Sequence, residues 1–341
     1  MTGEGAGTMT PFDFDLDEAK SAEPLILTAD EAKASVEHLF QEAIRHGSGT
    51  AYGQLLRQIA AFRQYKPTNA LLAQLQLPGA VYVLPAHRWE TRFGRVIKPG
   101  QRPLVMLQPF GPVMFVYDVS QTIPLPGAPR LPPEVLHPYE MPPMVNADAA
   151  VAWLTANAVA DRVRVTRVPS AAQRAGCIYV SSTMQHQRAV TKSGQGTALV
   201  PVRYEVELND AFTSTESLAT LAHELGHLYC GHVGTHDKDL WPSRTRLDRA
   251  SEEVEAESVA YLVCLRLDST ASVPPHLYQY IEADQPLPPF AFERVMTAAG
   301  RVLEMAQGWA PRRSKTPPRS PQRLFSDQGP VRPENAEPGA R

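Results

Sequence analysis

Apolar residues recur along this chain with two periods. Leu218, Leu221, Ala222, Leu225 and Leu228 are spaced three and four apart, one stripe of an amphipathic helix. Thr213 and Glu216 stand just before it in the T-x-x-E arrangement that opens helices. Val254, Val259, Leu262 and Val263 mark a second helix over 252–267. The same spacing predicts helices over 54–63, 69–76, 275–282 and 290–308, and one over 147–158 with Asn146 placed to cap it. A further stripe, Val36, Leu39, Phe40, Ala43 and Ile44, follows a Thr28/Glu31 capping box and ends near His46-Gly47. Short runs with strand character lie at 81–83, 96–97, 104–107, 113–117, 162–166, 177–180 and 200–208. Turns are marked by Phe93-Gly94, Pro99-Gly100 and Phe110-Gly111-Pro112, and 185–196 reads as a polar loop.

The mixture predicts an α+β protein in five parts. Residues 1–27 are small, polar and acidic and predict a disordered start. A small α+β module covers 28–122. Residues 123–144 form a linker, since eight prolines between Pro124 and Pro143 favour an extended, semi-rigid spacer. A second domain covers 145–308. The tail, 309–341, carries seven basic residues, three acids and seven prolines and is expected to be disordered.

Composition narrows the class. A 43% hydrophobic content is ordinary for a globular chain, and no run approaches the ~18 apolar residues of a membrane span. The N-terminus has neither the positive start nor the apolar run of a signal peptide. Cys177, Cys230 and Cys264 are too few and too scattered for a disulfide framework or a C-x-x-C site. These features predict a cytoplasmic protein without membrane partners. The net charge of −3 is uninformative, but its distribution is not. Between 48 and 122, eight Arg and Lys residues stand against Glu90 and Asp118, with aromatics interleaved. Basic groups that track phosphates, beside aromatic faces for bases, suit single-stranded nucleic acid.

The chemistry concentrates in His223-Glu224-Leu225-Gly226-His227, an H-E-x-x-H motif within the strongest helical stripe. Residues four apart share a helix face, so His223 and His227 can address one metal ion. Glu224 follows at once and is placed to take a proton from water. Zinc in catalytic sites takes three protein ligands. Glu253 and Glu257, again four apart, supply the third from the second helix. With Glu253 as ligand, Glu257 would accept the outer N–H of a ligating histidine; a one-turn shift exchanges their roles. His232 is a rival, but Gly231 and His232 each miss by one the positions that H-E-x-x-H-x-x-G-x-x-H requires. It reads instead as a helix-end or supporting residue, with Gly231 as the helix stop. Tyr179, Tyr204, His232 and His236 are candidate stabilisers of an oxyanion.

The H-E-L-G-H motif followed a helix later by E-x-E-A-E-x-x-A resembles the ImmA/IrrE family of zinc metallopeptidases, over about residues 145–285. The resemblance implies a zincin-like core, with His223, His227 and Glu253 as zinc ligands and Glu224 as general base. It also implies an intracellular endopeptidase acting on a protein or peptide substrate, in known cases a DNA-binding regulator. Phe62, Tyr65, Asn69-Ala70-Leu71-Leu72, Trp89, Gly94-Arg95-Val96, Lys98-Pro99-Gly100 and 117–122 are similar to the N-terminal domain of ArdC-type antirestriction proteins. That likeness implies single-stranded DNA binding, for which Arg63, Tyr65, Lys66, Asn69, Trp89, Arg92, Arg95 and Lys98 are the candidates. A DNA-binding antirestriction or mobile-element protein with a non-catalytic zinc site is the alternative function.

Overall fold

The computed structural model describes residues 49–108, 113–140, 145–169, 175–190, 196–268, 271–283 and 285–308. The helix expected over 28–46, the expected disordered ends and the Phe110-Gly111-Pro112 turn lie outside the described residues. Helices α1 (Gly49–Ala61) and α2 (Pro67–Gln76) open the described chain. Strand β1 (Val83–Leu84), helix α3 (Ala86–Phe93) and strands β2 (Arg95–Ile97), β3 (Leu104–Met106), β4 (Met114–Asp118) and β5 (Thr122–Pro124) follow. Strands β1, β4 and β3 form an antiparallel sheet in that order, and β2 pairs with β5. Helix α3 is absent from the hydrophobic pattern because only Trp89 and Phe93 are apolar in its last two turns. Their i, i+4 spacing seats both in the core, and Gly94, at φ 57°, stops the helix.

Beyond the short helix α4 (Pro133–Leu136) the order is α5 (Ala147–Ala158), β6 (Val163–Val168), β7 (Gly176–Val180), β8 (His186–Val190), β9 (Thr197–Pro201) and β10 (Tyr204–Asn209). Helices α6 (Ser214–Cys230), α7 (Arg249–Leu267), α8 (Pro275–Ile281) and α9 (Phe292–Ala306) complete it. Strand β10 is central, parallel to β6 and antiparallel to β7. The α+β class stands. The polar stretch expected as a loop at 185–196 instead contributes β8, which pairs with β9 in a ribbon of its own. The single strand expected over 200–208 is two strands, β9 and β10. Polar composition hid the ribbon because its residues are largely exposed on both faces.

The core does not divide at the proline-rich stretch. Tyr52, Leu55, Leu56 and Ile59 of α1 belong to the same apolar cluster as Val254, Val259 and Leu262 of α7. Polar bonds reinforce the contact: Tyr52 Oη donates to Ser258 Oγ at 2.6 Å, and Arg57 Nε to Tyr261 Oη at 3.1 Å. Arg266, 4% exposed, donates to the Ile59 and Tyr65 carbonyls. Tyr82, Leu84, Trp89, Phe93 and Val135 form a second, smaller cluster. The described part of the expected linker, residues 123–140, is therefore not a free spacer: β5 pairs with β2, and Val135 is buried against Trp89 and its neighbours. Proline limits regular hydrogen bonding, but it does not stop Val135 and Leu131 from packing. No helix among the described residues is long and apolar enough to cross a membrane.

Candidate metal centre

Helix α6 is fixed at both ends. Thr213 accepts from the Glu216 amide while the Glu216 carboxylate accepts from the Thr213 amide, so both arms of the expected capping box form. Gly231, at φ 92°, turns the chain out of the helix, and His232 N donates to the His227 carbonyl at 2.9 Å. Helix α7 starts at Asp248, whose carboxylate accepts from Ser251 N at 2.9 Å. The two helices touch at Gly226. A Cβ there would lie 3.1 Å from Ala256 Cα and the Ala256 carbonyl oxygen, and 3.2 Å from Val259 Cβ. The glycine between the two histidines is what lets α7 come this close.

That approach brings His223, His227 and Glu253 together, each partly buried. The Nε2 atoms of the two histidines are 3.0 Å apart, and Glu253 Oε2 is 3.5 Å from His223 Nε2 and 3.8 Å from His227 Nε2. A tetrahedral ion with bonds of about 2.0–2.2 Å separates its ligand atoms by roughly 3.3–3.5 Å, so the triangle fits a zinc-sized ion. Burial pushes the His227 imidazolium down to about 2, helped by the nearby His223 and His232. Burial lowers His223 as well, against the pull of Glu253. Both rings are therefore neutral near pH 7 and hold the lone pairs that metal binding needs.

Glu224 is 7% exposed and lies against β7: a Cβ on Gly176 would come within 3.5 Å of its Oε1. Glu257 is not at the triangle. Its Oε1 is 2.7 Å from His276 Nδ1, and its Oε2 accepts from Leu277 N at 2.7 Å. Glu253 and not Glu257 stands at the triangle, and Glu257 backs His276 rather than a histidine of the triangle, which corrects the role expected of it. His276 is half exposed, and its Nδ1 is 4.0 Å from Glu253 Oε2. With Arg249, Glu253, Gln279 and Tyr280 it lines a cleft beside the triangle. No spacing rule pointed to His276, because it reaches the site from the start of α8, which only the tertiary fold places there.

The outer nitrogen of His227 meets a different group. Its Nδ1 is 2.9 Å from His232 Nδ1, and His232 Nε2 is 2.9 Å from Glu255 Oε2. Arg244 binds both Glu255 oxygens at 2.5 and 2.7 Å, and Ala291 N donates to Oε1 at 2.8 Å. Burial alone would raise the Glu255 carboxyl, but its bonds to His232, Arg244 and Ala291 hold it below the ordinary carboxylate value. Glu255 is fully buried. The other candidate stabilisers are occupied elsewhere. Tyr179 Oη donates to Glu207 at 2.8 Å, Tyr204 is buried, and His236 packs on the Tyr204 and Trp241 rings.

The candidates for DNA binding divide into two groups. Trp89 is fully buried and its Nε1 donates to the Tyr117 carbonyl at 2.7 Å, so it is core and offers no face to a base. Asn69 clips Leu107, donating to its carbonyl and accepting from its amide, both at 2.9 Å. Tyr65 donates to the Val83 carbonyl. These three hold the module together. The cations are more open: Lys66 pairs with Glu304 at 2.6 Å, and Arg92 lies 3.9 Å from Glu134 and stacks on Phe93. Arg95 binds Thr122, Lys98 binds the Ser120 carbonyl, and Arg63 lines a cleft with Arg57 and Tyr139.

No family model, curated protein or solved structure matches this chain.

Proposed function

We propose that this chain is a zinc-dependent metalloendopeptidase with a zincin-like layout, working in the cytoplasm. The convergence of His223, His227 and Glu253, with Glu224 on the same helix, carries the reading. Zinc, when held there, supplies Lewis acidity that polarises a carbonyl and acidifies water. Glu224 takes the proton of the attacking water and passes it to the leaving amine as the C–N bond breaks, leaving a carboxylate and an amine. His276, held by Glu257 through Nδ1 and facing the cleft, donates from Nε2 to the carbonyl oxygen in the imidazolium form, the only form in which both ring nitrogens carry hydrogen, as negative charge grows there. Strand β7 lies at the end of its sheet, with Tyr179 and Val180 exposed, and offers its edge to an extended substrate.

The test is zinc content and peptide cleavage in wild type and Glu224→Gln, read by mass spectrometry on a peptide mixture. The variant should keep zinc and lose cleavage; cleavage retained in Glu224→Gln removes the general base.

The second reading is single-stranded DNA binding, coupled to the peptidase or standing alone beside a non-catalytic zinc site. The observation in its favour is the outer face of the β1-β4-β3 sheet, where the paired residues Val105 and Phe115 are exposed. Phe115 can take the stacking role that Trp89 cannot. Binding to an oligonucleotide should weaken steeply with salt and on Phe115→Ala. A regulator bound to DNA is then the natural substrate class.

A further inference from the structure

We propose that the buried run Arg244–Glu255–His232 fixes which nitrogen of His227 faces the metal, making His232 and Glu255 positioning residues of the centre. The inference rests on the metal-site reading above but not on peptide hydrolysis.

A neutral imidazole has one N–H and one lone pair, and only the lone pair can bind a metal. His227 turns Nε2 to the triangle and Nδ1 to His232 Nδ1. In that contact one ring must donate and the other accept. Glu255 decides which. It faces two Arg244 nitrogens, the Ala291 amide and His232 Nε2. A carboxylate so surrounded is an acceptor only, so the hydrogen between it and His232 sits on His232 Nε2. Arg244 and Glu255 balance each other's charge, so the hydrogen on His232 Nε2 is the one the carboxylate calls for. His232 Nδ1 then carries the lone pair and accepts from His227 Nδ1–H. The remaining nitrogen of His227, Nε2, is left with its lone pair aimed at Glu253 and His223. Read this way, the run passes each hydrogen from His227 toward Glu255.

Cys230, His232 and Glu255 also come close enough together to suggest a second metal site. Four donors already take the four lone-pair positions of Glu255, and His232 Nδ1 is engaged by His227. Burial and the Glu255 charge push the Cys230 thiol well above its ordinary value. The cluster supports the first site and is not a second one.

Partners that hold a ligating histidine in its tautomer typically contribute 10–100-fold in metal affinity. The experiment has two arms. Long-range proton–nitrogen spectra of histidine-labelled, metal-free protein should show hydrogen on Nδ1 of His227 and on Nε2 of His232. Zinc affinity is then measured by chelator competition in wild type, His232→Gln and His232→Leu. Glutamine can accept from His227 and donate to Glu255, so it should hold zinc within a few-fold of wild type. Leucine can do neither and should lose roughly 10–100-fold. Hydrogen on Nε2 of His227 in wild type, or equal zinc affinity in the leucine variant, would overturn the proposal. If His232→Leu does not fold, the wild-type spectrum decides. A wild type that binds zinc yet cleaves nothing sinks the peptidase reading and leaves this one intact; a wild type that binds no zinc overturns both.

Discussion

His276 Nδ1 lies 2.7 Å from Glu257 Oε1, so a half-exposed imidazole at the edge of the metal cleft is backed by a buried carboxylate. The bond fixes the ring so that its other nitrogen is the one a ligand meets. Removing a single oxyanion donor typically lowers kcat by about 100–1000-fold. His276→Ala should show a loss of that order in kcat, with KM little changed and one zinc per chain retained. Glu257→Gln should cost less, because the ring remains. Steady-state kinetics with zinc analysis checks both; an unchanged kcat in His276→Ala removes it from the reaction.

The two glutamates should separate cleanly in a metal assay. Glu253→Ala deletes an atom of the triangle and should abolish stoichiometric zinc. Glu257→Ala leaves the triangle intact and should retain zinc while losing the support of His276. Elemental analysis of the purified variants reads the difference, and the opposite result would exchange the two roles.

Gly226→Ala puts a methyl group 3.1 Å from the Ala256 backbone. Helix α7 must shift by a few tenths of an ångström, and Glu253 moves with it. Overpacking of this kind costs about 1–3 kcal/mol. Denaturant unfolding should report a loss in that range, and zinc affinity should fall with it. A variant as stable as wild type with full zinc affinity would mean that the helix pair yields without effect.

Acid should release the stability held by Glu255. Its folded value is depressed below the ordinary 4.5 by His232, Arg244 and Ala291. A depressed carboxylate contributes stability that is fully present above its unfolded value and is lost as pH falls through its folded value. Metal-free wild type should therefore lose stability below about pH 4.5, and Glu255→Gln should show a shallower decline, so that the two curves converge in acid. Urea unfolding from pH 7 to pH 3 measures this. Parallel curves would deny Glu255 the role.

A chain cut to begin at residue 145 should not fold. It would strip α7 of Tyr52, Leu55, Leu56 and Ile59, and leave Arg266 without its carbonyl partners. Losing several buried side chains at about 1.5–3 kcal/mol each exceeds the margin by which most domains are stable. Circular dichroism and dye binding would show a partly folded chain; a cooperative, zinc-binding fragment would restore the two-domain picture drawn from the proline-rich stretch.

The sequence by itself determined the local and periodic features. The stripe on α6, the Thr213/Glu216 box, Asn146 as a cap and the shared face of His223 and His227 follow from chain neighbours, whose geometry a helix fixes at once. It also narrowed the third candidate ligand to two glutamates on one face of α7. What it could not decide depends on which elements meet. The choice of Glu253 over Glu257 depends on where Gly226 lets α7 rest. The seating of Trp89 in the core depends on β1 and β4, which come together from separate stretches, and Val135 shows that a proline-rich run can still pack. His232, Glu255, Arg244 and Ala291 come from four separate stretches and share no periodicity, and His276 reaches the cleft from a helix with no motif at all. Helical spacing is written into a dozen consecutive residues, whereas packing between elements is settled only when the chain closes on itself.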